Sequence, residues 1–160
     1  MADFYTLFYL KFVENDNSQD EEKWTHLLLS TQISSWQGFT FELVCLQHLA
    51  EIKKKLGISG ILTSASSWRS AADAYEKSQV DLIIDRMDRV INLCEMKFSI
   101  APYVISREYE RKLRNRMAVF QSATGTRKSL ALTFVTTFGI TPNKYSGIVQ
   151  SEVIMDDLFL

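Results

Sequence analysis

Asp81, Glu95 and Lys97 are three charged side chains set into two otherwise apolar runs, 79–86 and 90–98. A sheet interior excludes charge unless the groups are paired or hold a metal. Side chains alternate across a strand, so Glu95 and Lys97 point to one face. If the runs fold as a hairpin about Met87-Asp88-Arg89, the residue opposite Asp81 falls near position 94 to 96. Two carboxylates and an ammonium then share one patch, which is the residue set of a metal-dependent phosphodiesterase site. Taken alone, Glu-x-Lys is a short pattern that many chains carry as a solvated cross-strand pair. Asp81 in register is what raises it above that. Asp85 lies on the same face but next to Arg86 and the turn, and reads as a hairpin-end residue.

A third carboxylate comes from the segment before these strands. Phe41, Cys45, Leu49, Ile52 and Leu56 recur at helical spacing. Glu42 falls inside that stripe rather than opposite it. A core-facing glutamate needs a cation or a proton, and a salt bridge to a lysine or arginine would also serve. Gly57 closes the helix after Lys53, Lys54 and Lys55, which suit its negative end.

The elements that must position these groups are legible along the chain. One hundred and sixty residues suffice for one domain with a small appendage. A hydrophobic content of 46% and an aromatic content of 12% are ample for a core. We expect an aromatic appendage or linker over 1–30, with a short helix over 21–29, and a main domain over 31–160. In the main domain we expect a helix over 36–57, a strand over 58–67, a polar loop over 68–78 and the charged hairpin over 79–98. A helix follows over 106–122, N-capped by Ser106 and with Tyr109, Leu113, Met117 and Phe120 as its apolar stripe, then strands over 129–137 and 147–153. This order predicts an α/β fold, a central mixed sheet with helices on both sides. The segment 3–13 is so aromatic, and so without a capping element, that it is expected to pack on something else, such as a preceding domain or a second copy of the chain.

Net charge of −1 gives no global attraction to nucleic acid. Local charge is less even: Arg107, Arg111, Lys112, Arg114, Arg116, Arg127 and Lys128 form a basic stretch that could hold phosphates or simply be a solvated surface. Glu14, Asp16, Asp20, Glu21 and Glu22 form an acidic one. Cys45 and Cys94 fall on apolar elements and, with no signal peptide evident, read as reduced cytoplasmic thiols. They are too few for a structural zinc site, and His26 and His48 lack ligand spacing with them. No apolar run is long enough to span a bilayer. No Gly-x-Ser-x-Gly is present, and Gly125-Thr-Arg-Lys-Ser129 lacks the Gly-Lys-Ser/Thr order of a phosphate loop.

Strand carboxylate, hairpin, Glu-x-Lys and then helix resembles the PD-(D/E)xK nuclease superfamily, with Glu42 where many members carry a helical glutamate. More closely, nearly the whole chain resembles the C-terminal domain of prokaryotic AAA-class ATPases. The matching stretches include Trp36-x-Gly38-x-x-Phe41-Glu42-x-x-Cys45, Gly57-Ile-Ser-Gly60, Ser67-Trp-Arg69, Asp81-Leu-Ile-Ile-Asp85-Arg86 and Ile91-Asn-Leu-Cys-Glu95-Met-Lys97-Phe-Ser99. They continue with Leu113-Arg-Asn115, Gly125-Thr-Arg-Lys128 and 145–153. Val80 stands where the superfamily has proline, and Glu76-Lys-Ser78 where the ATPase relatives have a small residue.

The resemblance implies a restriction-endonuclease-like αβββαβ core and a Mg²⁺- or Mn²⁺-dependent DNA nuclease. Asp81 and Glu95 would hold the ion, with the Met96 carbonyl and waters completing its shell, and Glu42 would help through a bound water or a second metal. Lys97 would orient water or stabilise charge, Gln79 would support Asp81, and Arg69, Arg111, Arg114, Arg127 and Lys128 would bind the nucleic-acid backbone. The implied partners are DNA and an ATPase domain in cis or in trans, with a homodimer through the aromatic start as a further expectation. The rival expectation is a catalytically inactive, nuclease-like interaction or regulatory module of an ATPase assembly.

Overall fold

The computed structural model describes all residues except 1, 2, 15, 19, 21, 29 and 71–77. Backbone contacts divide the chain into two units, Met1–Thr40 and Phe41–Leu160.

In the first unit, helix α1 spans Phe4–Phe12 and helix α2 spans Lys23–Leu28. Helix α3, Thr31–Gln47, begins here and ends in the second unit. The aromatic start does have a cap: the Asp3 carboxylate accepts from the Tyr5 and Thr6 amides, which α1 would otherwise leave unpaired. The Phe8 ring lies 5.2 to 5.6 Å from the rings of Phe12, Trp24 and Trp36, so part of the aromatic content packs on itself. Tyr5 and Leu28 remain exposed.

The second unit is an α/β layer structure. Helix α4 spans Leu49–Lys55, followed by strands β1, Thr63–Arg69, β2, Gln79–Arg86, and β3, Val90–Lys97. Helix α5, Arg107–Thr124, then leads to β4, Ser129–Thr136, and β5, Ser151–Ile154. The five strands form one mixed sheet in the order β1-β2-β3-β4-β5. The first three pair antiparallel and the last three parallel. One apolar cluster joins Phe41, Cys45 and Ile52 to Leu82, Cys94 and Met96; the other joins Leu113 and Phe120 of α5 to Leu93, Leu132 and Phe134. Helices therefore flank both faces. That is why β3 is buried from Ile91 through Met96, with Asn92 and Glu95 as its buried polar residues.

Several expected boundaries move, each for a local reason. The helix expected over 36–57 starts earlier and is interrupted at His48, whose amide is shared between the carbonyls of Val44 and Cys45. It ends in a Schellman motif: Gly57, at φ +69°, donates to the Lys54 carbonyl and Ile58 to that of Lys53. The turn that follows takes up the first residues of the strand expected from 58, which starts at Thr63 instead. Similarly, a 3₁₀ turn over Ser146–Ile148 delays β5 to Ser151. The hairpin turn falls where expected, with Arg89 at φ +68° and Arg86 paired to Asp88 across it. Ser106 caps α5 through the Tyr109 amide, and Gly125 ends it at φ +62°. The loop expected over 68–78 lies largely outside the described residues, as does most of Glu76-Lys-Ser78.

Candidate active site

The β2–β3 ladder runs from Asp85–Ile91 to Leu82–Cys94, stopping one step short of Asp81 and Glu95. The stop coincides with an irregularity against β1. Ser66 pairs with Ile83 and Trp68 with Val80, so Asp81 and Leu82 together face the single residue Ser67. Such a bulge bends the strand and re-aims a side chain. Asp81 is half-buried and, with Glu42 of α3, Ser67 and Arg69 of β1, Gln79 of β2 and Met96 of β3, lines a pocket of about 430 Å³. Within it, Arg69 Nε donates to Gln79 Oε1 at 3.0 Å, and Gln79 Nε2 donates to Asp81 Oδ1 at 3.0 Å.

Glu42 does fall on the inner side of its helix, as its place in the apolar stripe predicts. Burial holds its carboxyl above the usual range, and the neighbouring charge of Asp81 adds to that; Lys97 acts in the opposite direction. Burial alone would lower the Lys97 ammonium, but Glu95 outweighs it and holds the group above its ordinary value. The four residues singled out in the sequence therefore lie in one another's field, although they come from three separate elements.

Glu95 is the most confined of them, with a side chain 3% exposed. Its Oε1 accepts from Lys97 Nζ at 2.8 Å and from the Tyr109 hydroxyl, and its Oε2 accepts from Arg116 Nη1. Burial, followed by the charge of Glu95, drives the Tyr109 phenol far above its ordinary range, so it stays a donor. Tyr109 and Arg116 escaped the sequence reading, which placed one in an apolar stripe and the other in a basic stretch. The signal was present: Tyr109, Leu113, Arg116 and Phe120 share one face of α5 at spacings of four, three and four. A cation inside that stripe asks for a buried anion, as Glu42 asks for a cation.

The basic residues separate into two groups. Arg69 lines the pocket beside Asp81. Arg114, Arg127 and Lys128 instead line a groove of about 570 Å³ with Gln121 and Ser129. In the parallel β3–β4 ladder Val90 is level with Ser129 and Lys97 with Thr136. The part of the groove formed by Lys128 and Ser129 thus sits at the other end of β3 from Lys97, roughly 20 Å away at the rise of a strand. Lys128 is held there by the Asp85 carboxylate and, at 2.9 Å, by the Arg86 carbonyl. Arg114 pairs with Glu110, and Arg111 is exposed on α5 outside both linings.

Hard oxygen donors suit Mg²⁺ or Mn²⁺, and the mutual repulsion of Glu42 and Asp81 is a charge imbalance that a divalent cation relieves. Among the described residues, no three acidic, thiol or imidazole side chains stand close enough together to form a ready-made metal cage. Asp81 and Glu42 open to the pocket, whereas Glu95 is committed to its cations.

No family model matches the chain, and no curated protein matches it. Among solved structures it is similar to the crystal structure of a protein of unknown function, AF1548, at 16% identity and a TM-score of 0.47. The match covers 69% of this chain, which spans 56% of that protein's length. Among the described residues, no helix is long and apolar enough to cross a membrane.

Proposed function

We propose that the chain is a metal-dependent nucleic-acid phosphodiesterase domain with a restriction-endonuclease-like core, related to the C-terminal part of AAA-class ATPases. The observation that carries this reading is the pocket in which Glu42 of α3 and Asp81 of β2 stand with Arg69 and Gln79, the last hydrogen-bonded to Asp81. Asp81 and Glu42, which line the pocket, are the residues that would hold Mg²⁺ or Mn²⁺. Such an ion, when bound, supplies Lewis acidity toward a phosphodiester oxygen and makes water a stronger acid. Lys97 is kept charged by Glu95, so it presents fixed positive charge where negative charge develops on the phosphate. Arg69 offers the pocket a second cation for a phosphate, and Gln79 fixes the Asp81 carboxylate between them. These contacts address the backbone rather than base edges, so cleavage is weakly sequence-selective.

A second reading, a catalytically inactive module of an ATPase assembly, is favoured by one observation: both oxygens of Glu95 already serve protein donors. Nicking of supercoiled plasmid in Mg²⁺ or Mn²⁺ separates the two. The wild-type chain should nick, and Asp81→Ala and Lys97→Ala should not. No nicking by any form supports the interaction module; nicking that survives both substitutions rules this site out.

A further inference from the structure

The hairpin between β2 and β3 turns on an arginine held in a backbone state that suits glycine. Arg89 sits at φ +68°, and among the described residues no other side-chain-bearing residue has a positive φ. The left-handed region strains most L residues; glycine or asparagine would relieve it. Among the described residues the Arg89 side chain has no hydrogen bond or ion pair, so no contact within the fold accounts for its being arginine. Strain kept at such a position points to a use outside the fold.

Further cations gather at the same end of the sheet. The Ser129 amide donates to the Arg89 carbonyl at 3.0 Å, which joins the turn to the edge of the groove that Arg114, Arg127 and Lys128 line. Nearby carboxylates are already taken: Asp85 holds Lys128, Asp88 holds Arg86 and Glu110 holds Arg114. Arg127, like Arg89, is exposed and has no carboxylate partner among the described residues. Two uncompensated guanidiniums therefore stand beside Ser129.

We propose that Arg89 and Arg127 anchor the phosphodiester backbone of a nucleic-acid duplex along this groove, independently of the Asp81 pocket. The pocket and the groove share no lining residue, so this surface does not rest on the metal-dependent reading. A guanidinium offers a phosphate two parallel donors in a planar fork, and Gln121 and Ser129 add neutral hydrogen-bonding groups. A protein partner would seat aromatic anchors, and no aromatic residue lines the groove. Backbone contacts carry no base information. The surface holds duplex without reading it.

The test is fluorescence anisotropy of a long labelled duplex with the full chain in EDTA, over a series of salt concentrations. Arg89→Gly or Arg127→Gln alone should lower the slope of log affinity against log salt by about one, and both together by about two. Glycine relieves the turn, so Arg89→Gly should unfold at no lower urea concentration than wild type, which separates lost binding from lost fold. Should that hairpin loosen, Arg89→Asn tolerates the same backbone and carries the same expectation. An unchanged slope in a folded Arg89 variant overturns the proposal. So does polyglutamate that displaces duplex at equal charge, which would assign the surface to an acidic protein instead. Duplex bound with the expected slopes but never nicked upholds this surface, and the catalytic reading falls alone.

Discussion

Glu42 and Asp81 face the same pocket from a helix and a bulged strand, and after burial the charge of Asp81 is the main influence raising the Glu42 carboxyl. A carboxyl raised on folding favours the protonated form. Its contribution is present at low pH and is lost as pH rises from the ordinary carboxyl range through the raised value. In chelator, therefore, wild type should lose stability relative to Glu42→Gln across that interval. Urea unfolding of the two chains at a series of pH values checks this; parallel curves would disprove it.

Glu95 should matter for stability as well as for chemistry. Glu95→Ala leaves Lys97, Arg116 and the Tyr109 hydroxyl without their common acceptor, and should cost about 3 kcal/mol in urea unfolding. A loss below about 1 kcal/mol would mean the three donors find water readily.

Arg69 and the pair Arg114 and Arg127 should behave differently toward nucleic acid, because Arg69 lines the pocket of Asp81 and the pair lines a separate groove. Arg69→Ala should reduce plasmid nicking on the order of a hundredfold, the scale seen when a charge-stabilising group is removed. Arg114→Ala with Arg127→Ala should leave cleavage of a short duplex unchanged. Binding of long duplex by the doubly substituted chain should have a shallower salt dependence, each lost phosphate contact lowering the slope by about one. Equal loss of short-duplex cleavage from both sets would place the basic groove at the scissile site after all.

The two thiols should be inert in the native chain. Burial pushes Cys45 up to about 12, and Cys94, packed in the same core, is raised as well. Iodoacetamide near neutral pH should modify neither until the chain is unfolded, because the thiolate is the reacting species. Mass spectrometry after timed labelling with and without urea checks this.

What the amino-acid sequence determined by itself is local or periodic. The stripe Phe41, Cys45, Leu49, Ile52 and Leu56 packs inward as its spacing requires, and Glu42 comes with it. The hairpin of β2 and β3 was legible because two apolar runs flank a polar turn, and α5 because Ser106 caps it and Gly125 ends it. The tertiary structure alone decided the rest. Whether Asp81 meets Glu95 in a regular ladder depended on β1, which contributes one residue where β2 contributes two. Which cation serves Glu95 depended on how α5 lies over the sheet, and that brought Arg116 and Tyr109 to it from far along the chain. The basic stretch split because β4 runs parallel to β3, leaving Arg127 and Lys128 at the end away from Lys97. Spacing along a chain encodes which side of an element a residue occupies; partners across elements are chosen by packing and by the cost of leaving a buried charge alone.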